Sequence, residues 1–419
     1  MYKFFLKKAI NIYHLVLAVL AGFYYRFPSR KLIVIGITGT NGKTTTTHLI
    51  SHIIDGGHIS SATFKIGKGE IINKMKMTMP GRFKLQKLLG QMLDAGCKYA
   101  VIETTSEGLA QHRAWGIDFK MAVFTNLSPE HLESHGSFEN YKKAKAILFK
   151  KLDRNKSDSV SIVNLDDKHA DFFLKFKAQK KYGYGLNKFQ NKQYQNTLFK
   201  KVIAQDLQLD QSGAEFKIDN INFKINLLGE FNVYNALAAI CVGLSLGMNL
   251  VDISRALKTF KGVPGRIEFV QKQPFAVIVD YAHTPEALEK LYQTIKPTIA
   301  VLGACGGGRD KAKRPILGKI AAQYADLVII TNEDPYDEDP REIINQVASG
   351  AINSAEKCRV LKILDRKLGI KKALSMARPG DVVIITGKGC EPWLCAARGK
   401  KIPWDDRKIV RQELQSLNL

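Results

Sequence analysis

Runs of consecutive apolar residues, each closed by a polar residue or a glycine, recur along this 419-residue chain. They fall at 32–36, 99–103, 121–126, 161–164, 276–280, 299–303, 327–331 and 382–386. Continuous runs of this length, in contrast to strict alternation, predict strands covered on both faces. Helix-period patterns at 83–95, 235–246, 285–295 and 341–354 lie between most of them, which predicts an α/β protein with two parallel sheets. Ligands of such sheets gather at the carboxyl ends of the strands, where Glu103, Asn126, Asp280 and Thr331 stand. Residues 181–225 instead alternate polar and apolar positions with Asn and Gly interruptions, predicting antiparallel hairpins or an edge extension. The Gly262-Val-Pro-Gly-Arg266 break predicts a boundary, giving an amino-terminal segment 1–31 and domains 32–262 and 263–419.

The first segment has its own pattern. Lys3, Lys7 and Lys8 precede an apolar run at 9–25, and Arg26, Arg30 and Lys31 follow it. As a helix the run spans roughly 25 Å, short of the ~30 Å hydrocarbon core, and it contains Asn11 and His14. Two readings stay open: a helix packed on the following domain, and an interfacial helix on a membrane surface. A spanning helix and a cleaved signal peptide rank behind them, since no small-x-small cleavage site precedes the next strand.

Composition narrows the class without choosing a function. The net charge of +24 suits nucleic acid, an anionic membrane or polyanionic substrates alike. The lysines are scattered, with concentrations at 142–156 and 174–201, and no arginine-and-aromatic motif accompanies them. Solvated basic faces are expected, and nucleic-acid binding is not. Cys97, Cys241, Cys305, Cys358, Cys390 and Cys395 show no paired spacing, so a reduced, cytoplasmic protein without structural zinc is expected.

The chemistry begins where the run at 32–36 enters Gly36-Ile-Thr-Gly39-Thr40-Asn41-Gly42-Lys43-Thr44-Thr45. A strand, a glycine-rich turn and a helix start in this order form a nucleotide-phosphate cradle. Backbone N–H groups and Lys43 bind phosphate, and the Thr44 hydroxyl helps hold Mg²⁺. The usual eight-residue spacing asks for glycine at position 37, where this chain has Ile37. The next strand ends in Glu103, with Ser106 and Arg113 close behind, and the following one leads to His131 and His135. Mg²⁺ prefers oxygen, which makes Glu103 the natural ligand and His131 a less usual one.

The variant glycine spacing resembles the Mur ligase superfamily. Gly229-Glu-Phe-Asn-Val-Tyr-Asn235, Val263-Pro-Gly-Arg-Ile-Glu268, Asp280-Tyr-Ala-His-Thr-Pro285, Arg309-Asp-Lys-Ala-Lys-Arg-Pro315, Asp365-Arg366, Gly387-Lys-Gly-Cys-Glu391 and Asp405-Asp-Arg407 extend the likeness to MurE-type ligases. That resemblance implies a P-loop ATPase domain with a parallel sheet, followed by a Rossmann-like α/β domain. It implies ATP-dependent addition of a diamino acid, meso-diaminopimelate or L-lysine, to UDP-N-acetylmuramoyl-L-alanyl-D-glutamate through an acyl phosphate. Gly39 to Thr45, Asn232, Asn235, Arg266, Asp280, Tyr281 and His283 are then implied to bind ATP. Thr44, Glu103, His131 and a carbamylated Lys145 would hold two Mg²⁺ ions, with Lys43, Lys145 and Arg266 catalytic. Thr78, Pro80, Ser106 and Arg113 fall where the muramoyl dipeptide is held, and Arg309, Glu333, Asp334, Tyr336, Gly387 and Glu391 where the amino acid is held.

Three departures from the family stand out. The segment 1–31 takes the place of a UDP-gripping domain, so a UDP-linked or a lipid-linked acceptor both fit. Tyr336 replaces the arginine expected in diaminopimelate-adding members, and Glu333 and Asp334 would suit a terminal ammonium. Gly308 and Cys390 stand where aspartate and histidine are usual. A MurT-like or polymer-adding ligase of the same superfamily, and a P-loop switch or scaffold without ligase activity, are the alternatives.

Overall fold

The computed structural model describes residues 2–75, 77–130, 132–153, 158–186, 199–354 and 357–417, with side chains described from Ala9 onward. It divides into two compact units, Met1–Lys261 and Gly262–Leu419.

The first unit is built on an 11-stranded sheet in the order β11-β10-β9-β8-β7-β6-β1-β5-β2-β3-β4. Its strands are β1 (Ile33–Thr38), β2 (Gly57–Ile59), β3 (Thr63–Ile66), β4 (Gly69–Ile72), β5 (Tyr99–Glu103), β6 (Phe119–Phe124), β7 (Val160–Asn164), β8 (Lys180–Leu186), β9 (Lys200–Asp210), β10 (Gly213–Ile218) and β11 (Ile221–Ile225). β1 lies between β5 and β6, parallel to both, so the chain turns to opposite sides of it and leaves a crevice at its carboxyl end. Both faces of β1 are covered, and Val34, Ile35 and Ile37 have no exposure. Burying each such side chain stabilises the fold by about 1.5–3 kcal/mol.

At 181–225 the expected hairpins begin one strand later than the alternation suggested. β8 pairs in parallel with β7, and only β9, β10 and β11 form the antiparallel edge. The reason lies in Gly183 and Gly185, whose bare backbones admit Leu165 and Asp166 on the face that larger residues would have closed. β2, β3 and β4 were not legible in the run pattern, because they are short and the β4 positions are exposed.

The amino-terminal segment forms helix α1 (Tyr2–Tyr24). The next helices are α2 (Lys43–Ile53) and α3 (Arg82–Asp94). Ala18 and Ala21 are buried, and Tyr24 and Tyr25 stack near Phe83 of α3. Its inner face therefore packs on the domain. The other face stays apolar yet open: Ile12, Tyr13, Val16, Leu20, Phe23 and Tyr24 are all at least half exposed. Among the described residues no helix is long and apolar enough to cross a membrane.

The second unit carries β12 (Glu268–Gln271), β13 (Ala276–Val279), β14 (Ile299–Leu302), β15 (Leu327–Thr331), β16 (Arg359–Ile363) and β17 (Val382–Ile385). Their order is β12-β13-β17-β14-β15-β16, parallel except for β12. Period-two alternation sorts the core into two layers. Ile278, Ala300, Val328 and Ile384 face Leu288, Leu317 and Val347 on one side. Val277, Val301, Ile329 and Val383 face Ile370, Leu374 and Val410 on the other.

Candidate active site

In the first unit the chain leaves β1 through Gly39 and enters α2 at Lys43. Gly42 caps that helix at φ 80°, and a Cβ there would lie 2.3 Å from Asn235 Oδ1, so only glycine fits. The loop is held from behind by the end of β6. Asn126 Oδ1 accepts from the Asn41 N–H at 2.8 Å, Asn126 Nδ2 donates to the Asn41 carbonyl at 3.0 Å, and the Thr40 N–H donates to the Asn126 carbonyl at 2.9 Å. Thr40 Oγ1 also meets Tyr141 Oη at 3.1 Å. Lys43 Nζ donates to the Thr40 carbonyl at 2.6 Å, which folds the ammonium back across its own loop. Thr45 is buried on the first turn of α2.

Beside the loop stands a cluster of hard oxygen donors. Thr44 Oγ1 donates to Glu103 Oε2 at 3.1 Å and meets Ser61 Oγ at 2.8 Å, while the Ser61 N–H donates to the same carboxylate oxygen at 2.8 Å. Glu103 is only 3 % exposed. A hydroxyl and a carboxylate converging in this way suit Mg²⁺. Lys145 is buried with its Nζ 4.3 Å from the centre of the Tyr141 ring, and it donates to the Gly39 carbonyl at 2.6 Å. Burial, with the Lys43 charge second, pushes its ammonium well below the usual lysine range. As an amine it offers no oxygen to a cation. His131, expected as a metal ligand, lies outside the described residues.

The residues expected around the dipeptide come together. Arg113 Nη1 donates to the Met79 carbonyl at 2.7 Å, tying the Thr78–Pro80 stretch to the segment after β5. Ser106 opens the short helix Ser106–Ala110, and its Oγ meets His135 Nε2 at 3.0 Å. Gly108, one turn on, packs against Met79.

The expected nucleotide contacts divide between the units. Asn232 and Asn235 lie on the helix Glu230–Ser245 of the first unit, joined at 2.9 Å, and Thr46 Oγ1 donates to Asn235 Oδ1 at 3.1 Å. Arg266, Asp280, Tyr281 and His283 belong to the second. The Arg266 guanidinium stacks 4.2 Å from the Tyr281 ring centre, and His283 Nδ1 meets the Tyr281 carbonyl at 3.0 Å. Asp280 accepts from the Ile267 and Ala282 N–H groups at 2.8 and 2.6 Å, and desolvation pushes its carboxyl above the usual range.

Around the carboxyl ends of β15 and β17 the second unit buries a charge network. Lys388 Nζ, fully buried, donates to both Asp334 oxygens at 3.0 Å, to Glu391 Oε2 at 2.6 Å and to the Trp393 carbonyl at 2.7 Å. Asp334 Oδ1 also accepts from the Cys395 N–H at 2.7 Å. Asp334, expected at the amino-acid pocket, is thus ion-paired with Lys388. Glu333 differs. Its Oε1 takes the Cys305 thiol at 2.9 Å, while Oε2 is buried with no hydrogen-bond partner among the described residues. Gly387, at φ 104°, leaves room for Glu333, since a Cβ would stand 2.3 Å from Oε2. Burial pushes the Glu333 carboxyl above its usual range. Tyr281 Oη donates to Glu391 Oε1 at 3.0 Å, and the Arg309 guanidinium lies 5.2 Å from the Tyr336 ring centre.

Sequence reading gave no role to Ser61, Lys388 or the Arg366–Asp406 pair. The pair is bidentate at 2.9 and 2.7 Å with no exposure, and Arg366 Nη2 also donates to the Thr386 carbonyl at 2.8 Å. Two blocks that each mix aspartate with arginine, Asp365-Arg366 and Asp405-Asp406-Arg407, were visible, and that was the available signal. Ser61 had none, because it belongs to an unremarkable turn.

Comparison with known proteins gives the family. Residues 37–243 match the Mur ligase middle domain, and residues 265–389 match the Mur ligase glutamate ligase domain. The chain is 38% identical over 412 residues to the UDP-N-acetylmuramoyl-L-alanyl-D-glutamate--2,6-diaminopimelate ligase of Syntrophomonas wolfei, covering 95% of this chain and 81% of that protein. It is likewise 38% identical over 431 residues to the UDP-N-acetylmuramyl-tripeptide synthetase of Roseiflexus sp., covering 96% and 82%. A solved structure of a UDP-N-acetylmuramoyl-L-alanyl-D-glutamate--2,6-diaminopimelate ligase superposes with a TM-score of 0.60 at 33% identity, over 93% of this chain and 79% of the other. With both domain matches in order, and relatives this similar along nearly the whole chain, the protein belongs to the Mur ligase family.

Proposed function

We propose that the chain is an ATP-dependent amide ligase that adds a diamino acid to UDP-N-acetylmuramoyl-L-alanyl-D-glutamate in peptidoglycan synthesis. The observation that carries this reading is the meeting of the phosphate loop, Thr44, Glu103 and Lys145 at the carboxyl end of β1. Lys43 and the loop N–H groups bind the ATP phosphates, and Arg266 neutralises the transferred phosphoryl group. Thr44 and Glu103 would hold Mg²⁺, which shields phosphate charge when bound. Thr78, Pro80, Ser106 and Arg113 hold the dipeptide so that its D-glutamyl carboxylate faces the γ-phosphate. The carboxylate attacks that phosphorus, ADP leaves, and the amine of the incoming amino acid then displaces phosphate from the acyl phosphate. Positioning and charge neutralisation supply most of the acceleration.

Lys145 in its neutral form is a nucleophile for carbon dioxide, and the resulting carbamate, with loss of one proton, offers anionic oxygens to a second Mg²⁺. Its burial and depressed basicity support that role. Lys145→Ala should abolish turnover, with partial return on adding short carboxylic acids; full activity without them refutes the carbamate.

Glu333, with Oε2 lacking a partner, receives the distal ammonium, while Arg309 and Glu391 hold the amino acid's other end. With Tyr336 in place of a guanidinium, lysine or ornithine is favoured over diaminopimelate. ATP dependence and six free cysteines suit the cytoplasm. There the open face of α1, flanked by Lys3, Lys7, Lys8, Arg26, Arg30 and Lys31, rests on an anionic lipid surface. The test is phosphate release with ATP, Mg²⁺ and the UDP-linked or lipid-linked dipeptide, screening lysine, ornithine and meso-diaminopimelate. Release should require both co-substrates; release with neither overturns the ligase reading.

A further inference from the structure

Next to the Ser60–Thr63 turn, whose Ser61 contacts Thr44 and Glu103, three side chains from separate elements converge. They are His48 of α2, His58 of β2 and Glu70 of β4, with one ligand atom of each within 4.8 Å of the others. Both imidazoles are buried, and the Glu70 side chain is 45% exposed, leaving one open approach. Neither the phosphate loop nor the amino-acid pocket uses any of the three.

The hydrogen bonds around His58 and Glu70 constrain which atoms carry protons. Ser51 Oγ lies 2.6 Å from the Gly56 carbonyl, which can only accept, so the Ser51 proton points there. His58 Nδ1–H therefore donates to Ser51 Oγ at 3.0 Å, and Nε2 presents a lone pair. That lone pair lies 2.8 Å from Thr63 Oγ1 and 3.5 Å from Glu70 Oε1, while Thr63 Oγ1 lies 2.6 Å from the same Glu70 oxygen. One hydroxyl proton faces two acceptors. A cation at the centre of the three satisfies these lone pairs together.

The outer contacts favour a transition metal. Ser60 Oγ, which donates to the Thr63 carbonyl and accepts from the Ala62 and Thr63 N–H groups, lies 3.0 Å from His48 Nε2, and His48 Nδ1 lies 3.9 Å from Glu70 Oε1. The His58 ring donates from its far nitrogen to a fixed hydroxyl and turns its near nitrogen to the centre, which is how metal-binding histidines are oriented. Bonds of about 2.0–2.1 Å at tetrahedral angles place ligand atoms about 3.3 Å apart, and here the His58 and His48 nitrogens lie 3.5 and 3.9 Å from Glu70 Oε1, so modest closure completes the set. We propose that His48 Nδ1, His58 Nε2 and Glu70 form a Zn²⁺-class metal site, with the Thr63 hydroxyl or water as fourth ligand. The cysteine spacing argued against structural zinc; this site uses none of the cysteines.

Its effect would be to pin the Ser60–Thr63 turn, whose Ser61 contacts both Thr44 and Glu103. The inference does not depend on the ligase reading, because metal uptake is measured without turnover. The full chain is stripped with a chelator and titrated with Zn²⁺ against a chromophoric competitor, with excess Mg²⁺ present to occupy the Glu103 side. One equivalent should bind and raise the melting temperature, and Co²⁺ in its place should give the visible bands of a four-coordinate site. Glu70→Gln and His58→Gln should each weaken binding by about tenfold or more and remove the thermal shift. Glu70 is half exposed at a sheet edge, so its variant keeps the fold even if the histidine variant does not. No Zn²⁺ uptake by the unaltered chain, or uptake by Glu70→Gln at the original affinity, overturns the proposal.

Discussion

The two units build their polar sites in opposite ways. In the first, backbone groups and short side chains shape a loop, and among the described residues the Lys43 and Lys145 ammonium groups donate to carbonyl oxygens. In the second, Lys388 is already matched to Asp334 and Glu391, and Arg366 to Asp406, all within the protein. A site whose charges are mostly self-paired presents few groups outward, and among the described residues Glu333 Oε2 is a buried carboxylate oxygen that takes no hydrogen bond. The first design suits a polyanion that brings its own charge and metal. The second suits choosing among small zwitterions that differ at one end.

This contrast makes ordered predictions. Lys43→Ala should lower turnover by about 10²–10³-fold, as for loss of one group stabilising transition-state charge, with little change in melting. Lys388→Met should act through stability, since removing one partner of a buried pair costs about 3–5 kcal/mol. Calorimetry should show its loss in the second unit's transition. If Lys43→Ala melts like Lys388→Met, the contrast fails. A smaller effect concerns pH. Burial raises the Glu333 carboxyl, so it takes up a proton at higher pH than an exposed glutamate. The amino-acid KM should therefore rise as pH falls, starting above the ordinary carboxylate range, while the ATP KM does not follow. A parallel rise in both would remove Glu333 from amino-acid recognition. Least visible in turnover should be Leu20→Glu with Phe23→Glu on the open face of α1: flotation with anionic vesicles should fall, with activity toward a soluble acceptor unchanged. Equal flotation of both proteins would leave α1 as a packing helix only.

How much of this was legible differs between the units for the same reason. The phosphate loop is contiguous, and its glycines are demanded by local geometry, so the stretch 36–45 displays it in the sequence. The long buried strands were equally plain, because covering both faces forces unbroken apolar runs. The pairing of Lys388 with Asp334 spans 54 residues and that of Arg366 with Asp406 spans 40, and no local pattern records such meetings. Asp334 therefore read as an available carboxylate until its partner was seen. Ser61 and the His48, His58 and Glu70 group were hidden likewise, since they come from a helix, a turn and two strands too short for a pattern. The α1 segment was half legible: its apolar run announced a helix, but which face is buried depends on Ala18 and Ala21 meeting the domain.

The central claim is that a carboxylate is activated at the first unit's loop before the amide forms. It is tested most directly by carrying out the reaction with ¹⁸O in the D-glutamyl carboxylate of the acceptor and analysing the released phosphate by mass spectrometry. Attack of that carboxylate on ATP and later displacement by the amine must leave one labelled oxygen in phosphate for each amide made. Unlabelled phosphate accompanying amide formation would contradict the account.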